Sequence, residues 1–386
     1  MLLASPRSRT MQTFAIILAG TLVALFLFDT WRAVSRSRSL TEPFWRASWS
    51  VLISFVGRTR STPWRQRVLA GYGPVSLIAL FLCCAFGLVL GFGVLRWTLD
   101  LQLGWQRSLS HHLYLSASSF LTIAPNEASQ DPARWLNVVE AALGLSLLGL
   151  AIAYIPAVYR AYRRRELRIT LLEARAGSPP SAAALLAREG KHPRHLERQL
   201  ETWERWAAEL LRDQSTYPIL AYFRARQASR SWLTALVTIS DASVLVLLSS
   251  DRELRHQAEA TFALTSHVLI ESAKLLRLPP QSPAEDRLSQ ATLGHLRRTI
   301  AEGGASLDFR LLRQEKVAEL RSLYEPCANA LAEYLVMPLP SWVSQPSLTE
   351  HWRESSQKTA QPKAVASEVA KKPERQTQVD RRWFSS

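Results

Sequence analysis

Cysteine is scarce in this sequence, and the positions of the three cysteines exclude a disulfide framework. Cys83 and Cys84 lie inside one uncharged apolar run, and Cys327 lies far from both. This arrangement does not resemble the paired cysteines of a small secreted domain. No cysteine pair has the spacing of a zinc site either. We therefore expect neither a structural metal nor a disulfide scaffold.

The sequence also lacks the motifs by which common enzymes are recognised. It has no glycine-rich phosphate loop. Several of its glycines are instead distributed along one apolar segment, where they fit helix packing. It has no nucleophile elbow and no paired carboxylates that suggest a catalytic pair. Alternating strand patterns are absent, so the expected fold is all-helical. We predict that the protein is not an enzyme and binds no cofactor.

Three long runs without charged side chains are present: Met11 to Phe28, Val75 to Leu95 and Ala141 to Tyr159. Each reaches the roughly 20 residues that a helix needs to cross a hydrocarbon core of about 30 Å. They predict three transmembrane helices. The first run also fits a signal peptide, because arginines precede it. However, no small-residue cleavage site follows Phe28, and the next residues are typical of a membrane-interface anchor.

The basic residues, 47 against 32 acidic ones, give a formal charge of +15. They cluster beside the apolar runs, where they indicate membrane orientation and attraction to anionic headgroups rather than nucleic acid binding. The chain is predicted to lie in the cell inner membrane as a multi-pass protein, with its N-terminus outside and its C-terminus cytoplasmic. The arginines expected to contact anionic headgroups are Arg58, Arg60, Arg163, Arg164 and Arg165.

The first basic loop contains an amphipathic pattern. Trp45, Trp49, Leu52, Ile53 and Val56 share one face of a helix, and polar residues occupy the other. This pattern predicts an interfacial helix lying along the inner leaflet. A short helix packed on the cytosolic domain is the alternative.

The segment from Leu109 to Ile123 joins the second and third runs and reads LSHHLYLSASSFLTI, without a charge until a Pro-Asn break follows. It is too short to be another crossing. A half-helix that enters the membrane and returns fits, because irregular backbone is tolerated at that depth only where protein or water surrounds it. A surface helix in the outer leaflet is the alternative.

The stretch SSFLTIAPNEA, Ser118 to Ala128, resembles the pore module of potassium channels of the bacterial two-helix type. The resemblance covers Val68 to Arg168. It implies an outer helix, a re-entrant pore helix, an inner helix and assembly as a homotetramer that passes monovalent cations. Carried over residue by residue, Thr122 and Ile123 match the first filter positions and Glu127 matches the closing acidic residue.

The sequence departs from that family at Ala124, Pro125 and Asn126, where the family has Gly, an aromatic residue and Gly. A potassium filter presents rings of backbone carbonyls, which requires left-handed backbone angles. Ala in that region costs roughly 1 to 2 kcal/mol, and a proline drives the residue before it toward extended angles. We therefore expect weak or lost potassium selectivity, or a non-conducting scaffold or sensor that retains the channel fold.

Three residues of the third run are candidates for a hinge or gate: Gly144, Gly149 and Pro156. The glycines fit a bend or close helix packing equally well. Glu140, at the outer end of the run, requires water, a partner or headgroups around it, and bracing of the re-entrant segment is one of its predicted roles.

The chain beyond Arg168 shows helical periodicity throughout, and Trp232 to Leu248 within it fits either a buried helix or a fourth span. The predicted fold is an all-α membrane protein with three transmembrane helices, a re-entrant pore helix and a cytosolic helical domain. Its predicted parts are a first membrane helix (1–30), a basic loop (31–68), a pore-like module (69–168), a cytosolic helical domain (169–340) and a disordered tail (341–386).

Overall fold

The structure is a computed structural model that describes residues 41–56, 62–102, 107–123, 134–225, 230–249, 251–282, 286–305 and 313–343. These residues form eleven α-helices and one 3₁₀ helix, and no strand occurs among them. The first predicted membrane helix and nearly all of the predicted tail lie outside the described residues. The predicted all-helical class is confirmed for the described part of the chain.

The helices are numbered in chain order. They are α1 (Thr41–Val56), α2 (Thr62–Gln102), α3 (Leu109–Phe120), α4 (Arg134–Ala176), α5 (Ala182–Glu189), α6 (Pro193–Thr216), the 3₁₀ helix (Pro218–Tyr222), α7 (Trp232–Leu247), α8 (Arg252–Leu275), α9 (Gln290–Glu302), α10 (Gln314–Ser322) and α11 (Glu325–Leu335).

Two helices, α2 and α4, are long and apolar enough to cross a membrane. They contain 41 and 43 residues, so each spans about 60 Å, roughly twice the thickness of a bilayer core. Only 28% of the most apolar window of α2 and 17% of that of α4 are buried. The core helix of a soluble protein would be mostly covered, so this exposure indicates surfaces that face lipid or another chain.

The exposed face of α2 forms an apolar stripe at helical spacing, made of Val75, Ile78, Leu82 and Phe86. The opposite side of the same helix contacts α3 and α4, where Leu88 and Phe92 pack with Leu147. The α2–α3–α4 module therefore has a small apolar cluster inside and a larger apolar surface outside.

The remaining length of α2 and α4 packs into one large core with α1 and helices α5 to α11. At its centre lies α7, in which every residue from Trp232 to Val246 is buried. Asp241 of α7 accepts hydrogen bonds from Tyr324 and, at 2.5 Å, from Arg287. These protein contacts place α7 in the helical core, as a buried helix rather than a fourth span.

The predicted amphipathic helix forms as α1, and its tryptophan face packs on protein. Trp45 and Trp49 are buried, and the indole of Trp49 donates a 2.9 Å hydrogen bond to the carbonyl of Tyr334. The hydroxyl of Tyr72 on α2 donates to the carbonyl of Trp45 at 2.9 Å. The tryptophans therefore do not form a lipid-facing surface, and the alternative of packing on the helical core describes this face.

Candidate functional site

The short helix α3 runs antiparallel to α2. The imidazole Nε2 of His112 lies 3.2 Å from a carboxylate oxygen of Asp100. One turn later, the hydroxyl of Ser116 donates a 2.8 Å hydrogen bond to the carbonyl of Val89. His112 therefore lies beside Asp100 of α2, and Ser116 lies beside Val89, which is inside the uncharged run.

The C-terminal end of α3 reaches α4 at Gly144. A Cβ on Gly144 would lie 2.5 Å from the carbonyl oxygen of Phe120, and real side chains do not approach that closely. Gly144 is one turn beyond Glu140, within the uncharged run from Ala141 to Tyr159. Both long helices therefore place the end of α3 at the level of their apolar segments.

A buried polar network ties the three helices together. A terminal guanidinium nitrogen of Arg96 lies 2.5 Å from Glu140 and 3.2 Å from the hydroxyl of Ser119. Ser116 donates to the second oxygen of the Glu140 carboxylate. The side chains of Arg96 and Glu140 are 4% and 0% exposed. Burial of two charges is costly unless they are paired and hydrogen-bonded, and this network meets both requirements.

The side chains of α3 are arranged in the opposite way to those of a helix on a water-exposed surface. After its first turn, where Ser110 is exposed, its polar residues His112, Ser116, Ser118 and Ser119 are buried. Tyr114, on the other side, is 67% exposed, and the helix ends at the exposed Leu121. A helix that packs its hydroxyls inward and turns apolar groups outward is expected beside lipid or another protein chain.

The turn after α3 contains a strained residue. The amides of Thr122 and Ile123 donate to the carbonyls of Ser119 and Ser118 at 3.0 and 2.8 Å, which closes the helix with Thr122 at φ 58°. This hydrogen-bond pattern normally uses glycine at the left-handed position. A β-branched residue there costs roughly 1 to 2 kcal/mol. Such strain is concentrated at functional sites.

The structure describes part of the predicted filter. Thr122 and Ile123 are exposed beyond the end of α3. Ala124, Pro125, Asn126 and Glu127 lie outside the described residues.

The three hinge candidates have different surroundings. Gly144 is in close contact with α3, whereas a Cβ on Gly149 would meet nothing within 4 Å. Pro156 lies inside α4, which remains helical from Arg134 to Ala176. Close helix packing, the alternative to a hinge, therefore explains why glycine is needed at position 144. It does not explain the glycine at position 149.

The arginines at the end of α4 differ in environment. Arg163 is exposed, and Arg164 is exposed and lies 3.5 Å from Asp213. Arg165 is buried, and its guanidinium donates to the carbonyls of Leu220 and Phe223 at 2.8 and 2.6 Å. The two terminal nitrogens of Arg165 thus contact protein carbonyls, where a headgroup contact was expected, and the headgroup contacts of Arg163 and Arg164 stay a prediction. Arg58 and Arg60 lie outside the described residues.

Sequence reasoning missed Arg96, Ser116 and Ser119 as parts of the site. A signal for Arg96 existed, because it is the charge that ends the second uncharged run, as Glu140 is the charge that precedes the third. Opposite charges at the same ends of two adjacent antiparallel spans are candidates for a pair. Among the described residues, no group of three metal-ligating side chains is placed to hold an ion.

Comparison of the chain with family models, curated proteins and solved structures finds no match.

Proposed function

We propose that α2, α3 and α4 form the ion-channel-like pore module of an integral membrane protein, with α3 as its re-entrant pore helix. The observation that carries this proposal is the placement of Leu121 to Ile123. These residues are exposed at the end of a helix whose polar face is fixed by Arg96 and Glu140, at the level of the uncharged runs. A helix lying on the surface of the outer leaflet would stay at one depth, so its contacts with α2 would not pass from Asp100 to Val89.

The module requires further copies of the chain to enclose a path. One chain contributes one short helix, and most of the surface of Tyr114, Leu121 and Ile123 is exposed. Copies arranged around an axis would cover Tyr114 and bring the ends of α3 together. We propose a homotetramer with about four such ends around a path for monovalent cations.

The proposed pore has weak or lost potassium selectivity. Ala124 and Pro125 oppose the alternating backbone that stacked carbonyl rings require. The same two residues favour the second candidate, a non-conducting membrane scaffold or sensor that retains the arrangement of the pore helix. In both cases the proposed location is the cell inner membrane, with three spans and the C-terminal helical core in the cytoplasm.

Single-channel recording of the purified protein in a planar bilayer separates the two candidates. If the protein is a pore, we expect unitary currents with little preference for potassium over sodium. Folded protein that is silent across voltage, tension and pH would leave the scaffold as the function.

A triple variant, Ala124→Gly with Pro125→Tyr and Asn126→Gly, tests the origin of the poor selectivity. It should raise the permeability ratio of potassium to sodium, because the loop regains residues that permit left-handed angles. Ala124→Gly alone and Pro125→Tyr alone are the matched controls and should change the ratio little. A folded triple variant with neither current nor bound potassium would show that the loop is not related to a filter.

A further inference from the structure

A cavity of about 570 Å³ lies where α2 and α4 enter the helical core, lined by Arg67, Ala70, Gly71, Tyr162 and Arg224. Its volume is within the range of roughly 300 to 1,000 Å³ typical of small-molecule sites. Two of the five lining residues are arginines, and none is acidic. The described lining therefore has unbalanced positive charge.

Arg224 is held in place with part of its donor capacity unused. Its side chain is buried, and one terminal nitrogen donates to the carbonyl of Val336 at 3.0 Å. Its Nε has no hydrogen-bond partner in the described part of the chain. Nε is itself covered by protein, but no carboxylate offsets the charge of this guanidinium in the described part of the chain. A buried cation without an anionic partner is costly, so an anion in the cavity would stabilise it.

The electrostatic surroundings of Arg224 also favour an anion. Burial lowers the pKa of its guanidinium, and the positive charge of Arg65 lowers it further. An anion in the cavity would oppose both effects.

The position of the cavity indicates which anion is available. Gly71 lies one turn before Val75, where the exposed apolar stripe of α2 begins. A molecule with its phosphate between Arg67 and Arg224 can lay an acyl chain along Val75 and Ile78. Arginine pairs well with phosphate because its planar donors match the phosphate oxygens.

We infer that this cavity binds a phosphate-bearing anion, with Arg67 and Arg224 as the cationic ligands and Gly71 leaving room for it. The apolar stripe beside the cavity favours the headgroup of an anionic phospholipid over a free phosphate compound. The inference does not depend on the proposed pore, because the cavity is the same whether or not the module conducts.

Native mass spectrometry of the full-length protein in detergent tests the inference. Delipidated protein is titrated with phosphatidylglycerol and, separately, with phosphatidylcholine of the same acyl chains. We expect a preference of about tenfold for phosphatidylglycerol, because its headgroup has a net negative charge, whereas the choline ammonium of phosphatidylcholine offsets the phosphate charge and is repelled by the two arginines. A second arm adds inorganic phosphate or glycerol phosphate and measures the thermal unfolding temperature.

Gly71→Trp is the decisive variant, since a Cβ at Gly71 meets nothing within 4 Å and an indole there would occupy part of the cavity that Gly71 lines. Gly87→Trp on the same helix is its control, because that position is equally open and distant from the arginines. Gly71→Trp should abolish the preference, and Gly87→Trp should keep it. Arg67→Gln should weaken it, whereas Arg298→Gln, at an exposed position of α9, should not.

Each outcome is decisive. Preferential lipid binding that Gly71→Trp removes supports a headgroup site. Stabilisation by inorganic phosphate or glycerol phosphate that Gly71→Trp removes, without lipid preference, supports the same site with a soluble ligand. Equal binding of both lipids and no phosphate effect in the wild type, or responses unchanged in Gly71→Trp, would overturn the inference.

Discussion

Gly144 and Gly149 lie on the same helix, and the contacts of each define its role. A Cβ at Gly144 would overlap the backbone of Phe120, and a Cβ at Gly149 would extend into open space. Gly144→Ala should therefore destabilise the protein by about 1 to 3 kcal/mol, because the end of α3 must move. Gly149→Ala should be neutral or stabilising by roughly 0.5 to 1 kcal/mol, since alanine favours the helix.

The free energy of unfolding in detergent, measured for both variants, checks this prediction. If both alanines were equally damaging, a bend at each glycine would explain the pair better than packing at Gly144.

The pair formed by Arg96 and Glu140 is suited to a double-mutant cycle. Arg96→Met leaves the Glu140 carboxylate buried without its cation, and Glu140→Leu leaves the guanidinium without its anion, so each should cost about 3 to 5 kcal/mol. The double variant should cost less than the sum of the two, because neither charge remains buried alone. Arg163→Met, at an exposed position, is the control for loss of a cation.

Unfolding free energies of the four proteins check the cycle. Additive effects would show that the two side chains do not interact, and the network that positions α3 would then lack its central contact.

The two faces of helix α1 differ in burial, so substitutions on them should differ in their effect on stability. Trp49 is 1% exposed and donates to Tyr334, whereas Phe55 is 64% exposed. Trp49→Ala should cost about 3 to 5 kcal/mol of stability in detergent, as expected for a fully packed large side chain. Phe55→Ala should change stability by less than about 0.5 kcal/mol. Thermal unfolding of the two variants measures this difference, and a harmless Trp49→Ala would contradict the packing of α1.

The elements that could be predicted from the sequence are those with a strong local signal. Uncharged runs locate the apolar segments of α2 and α4, and the uncharged stretch after Leu109 locates α3. The helical periodicity of apolar residues also predicts α1, but it does not show whether lipid or protein covers the apolar face of this helix. Trp45 and Trp49 look identical in sequence whether lipid or Tyr72 and Tyr334 surround them, because both environments are apolar.

The long helices α2 and α4 each extend through two environments. Their uncharged segments pack with α3 and expose apolar stripes, and their other ends join the core around α7. Phe223, beside the 3₁₀ helix, contacts both long helices. Its carbonyl accepts a hydrogen bond from Arg165 of α4, and its ring lies where a Cβ on Gly73 of α2 would be. Both contacts are therefore made from the helical core.

The long-range part of this arrangement could not be predicted from sequence. Arg165 was expected to face headgroups, because a run of arginines after a span usually does. Its burial depends on carbonyls of Leu220 and Phe223, more than fifty residues away. The pair of Arg96 with Glu140 depends in the same way on how two helices pack.

Thiol labelling at two isoleucines of similar exposure shows whether the end of α3 lines an aqueous path. Ile123 follows α3 and is 60% exposed, and Ile78 lies on the stripe of α2 and is 54% exposed. Each is replaced by cysteine in a chain whose Cys83, Cys84 and Cys327 are alanine, and the protein in vesicles is treated with a charged, water-soluble thiol reagent. If the end of α3 lines an aqueous path, the cysteine at position 123 reacts and ion flux changes, while that at position 78 is protected by lipid. If both positions are protected, or if position 78 reacts as readily as position 123, then the end of α3 does not line a pore.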